Sequence, residues 1–157
     1  MREILSRPEY FFPVLIGFLI FLFAFMARLS GWTTLANYYR FAGTFTGQTW
    51  RFQSAQMRWK MGYNNCLTIG ADESGLYLSV FFLFRFGHPN LFIPWGDISI
   101  RKKKGFLYSH MEFRFQQAPG ISFLVNERLE KQIAKAAGND WPGEGKKEDY
   151  DVPISRK

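Results

Sequence analysis

The spacing of apolar and polar positions changes period along the chain, and each change marks a different kind of element. Residues 10–27 (YFFPVLIGFLIFLFAFMA) run for eighteen positions without a charge. As a helix they reach about 27 Å, close to the roughly 30 Å hydrocarbon core of a bilayer. A helix apolar on every side needs lipid or protein all round it, and the 130 residues that follow are too few to envelop it. A secretory signal shares the basic start, Arg2 and Arg7, but wants small residues three and one positions before its cut. Cleavage after Ala27 puts Phe25 in the first of these, and cleavage after Ala24 puts Leu22 there. The run therefore predicts a retained single-pass anchor, with Pro13 in its first turn and Tyr10 and Trp32 as flanking interfacial aromatics. Arg2 and Arg7 before it balance Arg28 and Arg40 after it, so the positive-inside rule leaves the orientation open.

Beyond the run, Trp32, Leu35 and Tyr39 fall on one face of a short helix, expected at the membrane surface or as the first packing helix of the following domain. From Thr49 the period becomes two. Trp50 and Phe52 alternate with Arg51 and Gln53, and Leu67 and Ile69 with Cys66 and Thr68; after the ADESG turn come Leu76, Leu78 and Val80. A loop over 85–90 and a short strand ending at Pro94 follow. Ile98 and Ile100 begin a strand that is expected to break at Arg101, Lys102, Lys103 and Lys104. Met111, Phe113 and Phe115 mark the next strand, and a Pro-Gly turn precedes the last one, ISFLV. Asn126 reads as the N-cap of a helix with Leu129 and Ile133 on one face and Gly138 as its stop. From Trp141 the polar composition predicts a disordered tail.

Charge sharpens this picture. Of the net +7, residues 1–27 contribute zero and 138–157 contribute −1, so residues 28–137 carry +8. One cysteine, Cys66, excludes an internal disulfide and reads as a small buried hydrophobe.

Strands followed by one amphipathic helix form an order that resembles the pleckstrin-homology (PH) and GRAM-like domains. The segments GWTTLANYYR (31–40), GLYL (75–78) and FRFGHPNLFIPWGDI (84–98) resemble a family of small bacterial membrane-anchored proteins, in which an Ile-Pro-Trp turn leads into the next strand. The resemblance covers about residues 30–137. It implies a mainly β fold with α: an N-terminal transmembrane helix (1–29), a PH-like antiparallel barrel or sheet capped by a helix (30–137), and a tail (138–157). It also implies binding of a lipid headgroup or a protein at a membrane; the location expected is the bacterial inner membrane, with the cytoplasmic side slightly favoured for the domain. No catalytic residues come with it.

The residues themselves name no reaction. His88, His110 and Cys66 have no metal-ligand spacing, and no phosphate-binding loop or nucleophile elbow is present, so neither a metal nor another cofactor is expected. Asp97 reads as a turn cap, Trp95 and Ile93 as core plugs. Candidate ligand-binding residues are the run Arg101, Lys102, Lys103 and Lys104, together with Arg85 and His88 in the 85–90 loop that leads into the stiff GHPNLFIPW stretch. Clustered cations attract anionic headgroups at about 1 kcal/mol each. A membrane-anchored, non-enzymatic binding module is the function expected; nucleic acid is disfavoured by the anchor. A structural subunit of a membrane complex and a lipid-acting enzyme are the alternatives.

Overall fold

The computed structural model describes residues 8–58, 61–105 and 107–143. Helix α1 (Pro8–Ser30) contains the apolar run, with Glu9 in its first turn and Arg28 in its last, the placement that suits the helix dipole. Its start at Pro8 puts Pro13 in the second turn and not the first, where the ring removes one helical hydrogen bond. The helix is long and apolar enough to cross a membrane. Residues 9–21 are exposed, whereas Ala27 and Ser30 are buried.

Helix α2 (Trp32–Tyr39) follows after one residue. That residue, Gly31, has φ 87°, and a Cβ on it would lie 2.6 Å from Cδ1 of Ile121. Only glycine combines that backbone angle with that approach. Trp32, Leu35 and Tyr39 do share a face, but all three are buried. Trp32 is therefore part of the core, and not an interfacial aromatic; its Nε1 donates to the Pro89 carbonyl at 2.9 Å.

Seven strands form one antiparallel sheet: β1 (Gln48–Gln56), β2 (Gly62–Ala71), β3 (Gly75–Val80), β4 (Leu91–Pro94), β5 (Ile98–Lys104), β6 (Ser109–Phe115) and β7 (Ala118–Asn126). Their order is β4-β3-β2-β1-β7-β6-β5. The two halves meet where Gln56 pairs with Leu124. Among the described residues no ladder joins the edges β4 and β5, so the sheet is not closed into a barrel.

Alternation places the core as the sequence suggests. Leu67, Ile69, Leu76, Leu78, Ile93, Phe113 and Phe123 all point inward and are buried. Helix α3 (Glu127–Ala137) covers this face through Leu129, Ile133 and Ala137, and the Asn126 side chain caps it by accepting from Leu129 N at 2.7 Å. Trp95 and Ile93 are core residues; Trp95 Nε1 donates to the Asp72 carbonyl at 2.8 Å.

Four further expectations change. Phe52 does not alternate inward, because β1 shifts register between Trp50 and Gln53 and Phe52 takes φ 55°, leaving it 63% exposed. The basic run does not break β5; it is the second half of that strand, with Lys103 opposite His110 and Lys104 opposite Ser109. The turn before β7 is at Gln116 and Gln117, and Pro119 and Gly120 lie within the strand. Trp141 packs edge-on against Trp95 and Phe113, at 5.4 and 6.1 Å between ring centroids, so the tail does not begin there. The remainder of the expected tail, 144–157, lies outside the described residues.

Candidate functional site

The β3–β4 connection, residues 81–90, is where the apolar helix and the sheet meet. It begins with a 3-10 turn (Phe82–Phe84) and bends at Gly87, whose φ is 77°. A Cβ at Gly87 would lie 3.0 Å from Cα of Ala24, so glycine lets the connection rest directly on the α1 backbone. Phe84 meets Phe23 edge-on at 4.8 Å. The helix is thus gripped along its last turns.

Behind that contact lies a buried hydrogen-bond chain. Ser30 Oγ is 2.7 Å from Tyr63 Oη, which is 2.9 Å from His88 Nε2; His88 Nδ1 is 3.2 Å from the Phe86 carbonyl oxygen. A carbonyl only accepts, so Nδ1 carries the proton in neutral His88 and Nε2 accepts from the tyrosine. Burial pushes the imidazole pKa down from its usual 6.5, partly opposed by the backbone carbonyls of Phe86 and Phe84. Burial likewise raises Tyr63 to about 12, so its hydroxyl keeps the proton it donates. Ser30 from α1, Tyr63 from β2 and His88 from the connection are so joined, and Trp32 packs on both rings at 5.7 and 5.4 Å.

Outside this buried chain the same connection is apolar. Phe82, Leu83 and Phe86 are 63%, 56% and 53% exposed. Phe23, which Phe84 touches, precedes Arg28 by five residues, about 7.5 Å along the helix axis. The connection therefore reaches alongside the apolar run.

Arg85 and His88 come together in this connection but do different things. His88 is 2% exposed and holds structure, while Arg85 is exposed on a groove that also takes Arg51 from β1. The basic run lies elsewhere, on the edge strand β5. There Lys102 Nζ meets Glu127 at 2.9 Å, and Lys103 Nζ meets Glu112 at 3.4 Å. Glu112 is only 3% exposed and also takes Arg114 Nε at 3.4 Å. The hydrogen bond and charge of Lys102 pull the Glu127 carboxyl below its usual range. Charged side chains on an edge strand also oppose pairing with a foreign strand.

Asp97 caps no simple turn; its Oδ2 accepts from Tyr39 Oη at 3.0 Å and its backbone carbonyl from Gln116 N at 2.8 Å. Cys66 is half-buried on the outer face of β2, and burial raises its thiol pKa. Among the described residues no three His, Cys, Asp or Glu side chains cluster as a metal site would require. Sequence reasoning missed Arg51, Tyr63 and Ser30, since no spacing rule links residues on three separate elements.

Compared with known proteins, the chain matches no family model, no curated protein and no solved structure.

Proposed function

We propose that the chain is a membrane-anchored, non-enzymatic binding module whose domain is seated on the bilayer surface and engages an anionic lipid headgroup there. The observation that carries this reading is the way α1 enters the fold. Ala27 and Ser30 belong to the buried interior and Phe23 and Ala24 support the β3–β4 connection. Removing a segment that ends there would open the core, which favours a retained anchor over a cleaved leader. The exposed Phe82, Leu83 and Phe86 then lie beside the same apolar run, at the depth where aromatic side chains favour the interface.

A PH-like reading of the domain is supported by two consecutive antiparallel sets, β1 to β4 and β5 to β7, joined edge to edge and covered by a C-terminal helix. The charge of +8 on residues 28–137 suits the anionic cytoplasmic leaflet of a bacterial inner membrane. His88 and Asp97 are each committed to internal hydrogen bonds, which supports a binding role over a chemical one. Leu107 and Tyr108, exposed at the β5–β6 tip, favour a protein partner as a second reading.

Carbonate washing of membranes that contain the full chain tests the anchor. The chain should stay in the pellet with its first residues intact. Release into the wash, or a mature N-terminus near residue 28, would overturn the reading.

A further inference from the structure

Two grooves differ in their charges. The larger, about 790 Å³ beside Trp95, sets Arg101 and Arg114 among Glu73, Asp97 and Asp140. The other, about 520 Å³, lies on the outer face of β2 and β3 and contains Arg51 and Arg85 with no carboxylate in its lining. Its floor is Thr68, Tyr77 and Ser79. Segment 41–47 walls one side, held by Phe45 stacked on Tyr77 at 4.7 Å, and the β3–β4 connection walls the other.

We infer that the groove between Arg51 and Arg85 binds a phosphate-bearing anion, met as the headgroup of an anionic lipid in the leaflet where α1 ends. This rests on the membrane-seated reading above, and it moves the headgroup site from the basic run of β5 to the face beside the helix. Four observations converge on it. Two guanidinium groups offer planar forks of N–H donors, the geometry that suits phosphate oxygens. Neutral groups complete the set: Ser79 Oγ donates to Asn90 Oδ1 at 2.8 Å, so what Asn90 presents to the groove is its NH2. The backbone is strained at the rim, where Phe52 holds φ 55°, a costly angle for an aromatic residue. The resulting bulge lies next to Arg51 and sets the Phe52 ring 6.1 Å from that of Phe81. Finally, Phe82 lines the groove and belongs to the connection that touches α1, which brings the site to headgroup level. Lys102 and Lys103 of β5, by contrast, already face Glu127 and Glu112.

The full chain in neutral detergent micelles is titrated with short-chain phosphatidylglycerol, short-chain phosphatidylcholine and water-soluble glycerol phosphate, and the melting temperature is followed, since a ligand of the native state raises it. Phosphatidylglycerol should raise it and phosphatidylcholine should not. R51Q/R85Q should weaken the phosphatidylglycerol response about tenfold or more, the loss of a charge-assisted hydrogen bond. K102Q/K103Q/K104Q should leave it within about twofold of wild type, as exposed residues outside a site do. Both arginines are exposed, so the double variant should melt near wild type without lipid; R85Q alone, at intermediate affinity, provides a second reading. A response to glycerol phosphate equal to that of the lipid would support the anion groove and make a soluble phosphate ester its ligand. An unchanged response in R51Q/R85Q, a loss of response in K102Q/K103Q/K104Q, or no preference for phosphatidylglycerol would each overturn the groove. Carbonate washing separates this from the anchor, because an unaltered chain that shows no preference for phosphatidylglycerol yet stays in the membrane pellet refutes the groove alone.

Discussion

At one edge of the sheet two of four consecutive cations, Lys102 and Lys103, are paired with carboxylates, while on the opposite half two arginines distant in sequence share a groove without one. The first is conspicuous in the sequence and the second is invisible there. What separates them is the company each keeps. A cation paired at 2.9 Å with Glu127 must give up that partner before it can take another anion, whereas Arg51 and Arg85 face hydroxyl, amide and aromatic groups that do not compete. Charge density along the chain is therefore a poor guide to where an anion binds. The local balance of signs in three dimensions decides.

The largest effect belongs to the junction: Trp32→Ala should cost about 3–5 kcal/mol, the usual loss for a buried aromatic, and should loosen both α1 and the β3–β4 connection. Denaturant unfolding of the full chain in neutral micelles measures it, and a loss under about 1 kcal/mol would mean that the junction is not part of the cooperative core.

Acid should act on the same place. His88 is neutral when folded, with a pKa below its unfolded value near 6.5, so the unfolded chain binds more protons as pH falls. The His88 contribution to stability is thus constant above about pH 7 and declines as pH drops through the unfolded pKa toward the folded one. Melting temperatures between about pH 7.5 and 5.5 should fall in wild type and fall less steeply in His88→Gln, whatever the starting stability of that variant. Parallel curves would assign the acid sensitivity to another group.

The smallest effect is expected on β5. Lys102→Gln breaks an ion pair whose partners are both well exposed, which should cost between about 0 and 1 kcal/mol. A loss above about 2 kcal/mol would make the basic strand a structural element in its own right.

Much of the fold could be read from period and punctuation. The hairpin of β2 and β3, the short β4 ending at Pro94, and α3 with its Asn126 cap and Gly138 stop all follow from local rules that the chain obeys. Those rules report which face a residue takes, and they fail where tertiary contact intervenes. Phe52 leaves its alternation because a bulge turns it outward. Trp32 has the position and chemistry of an interfacial aromatic, but Pro89, contributed by a connection 57 residues later, gives its N–H a partner inside the protein. Glu112 alternates as an outward residue and is nonetheless covered, with Lys103 and Arg114 bonded to it. For the site, Arg85 and His88 were visible as residues of a stiff loop, while their separate roles and the pairing with Arg51 depend on which strands become neighbours.

Gly31 gives the molecule one further property. With a single residue between α1 and α2, and that residue packed on Ile121, the domain has no leash. A head on a long flexible tether sweeps a volume and can capture targets well above the membrane. On the anchored reading proposed above, a head joined this way has a fixed footprint, and it meets ligands by two-dimensional diffusion along the leaflet. On that same reading, any tilt of the helix that accommodates bilayer thickness rocks the whole head, so membrane thickness becomes a quantity that the domain would register.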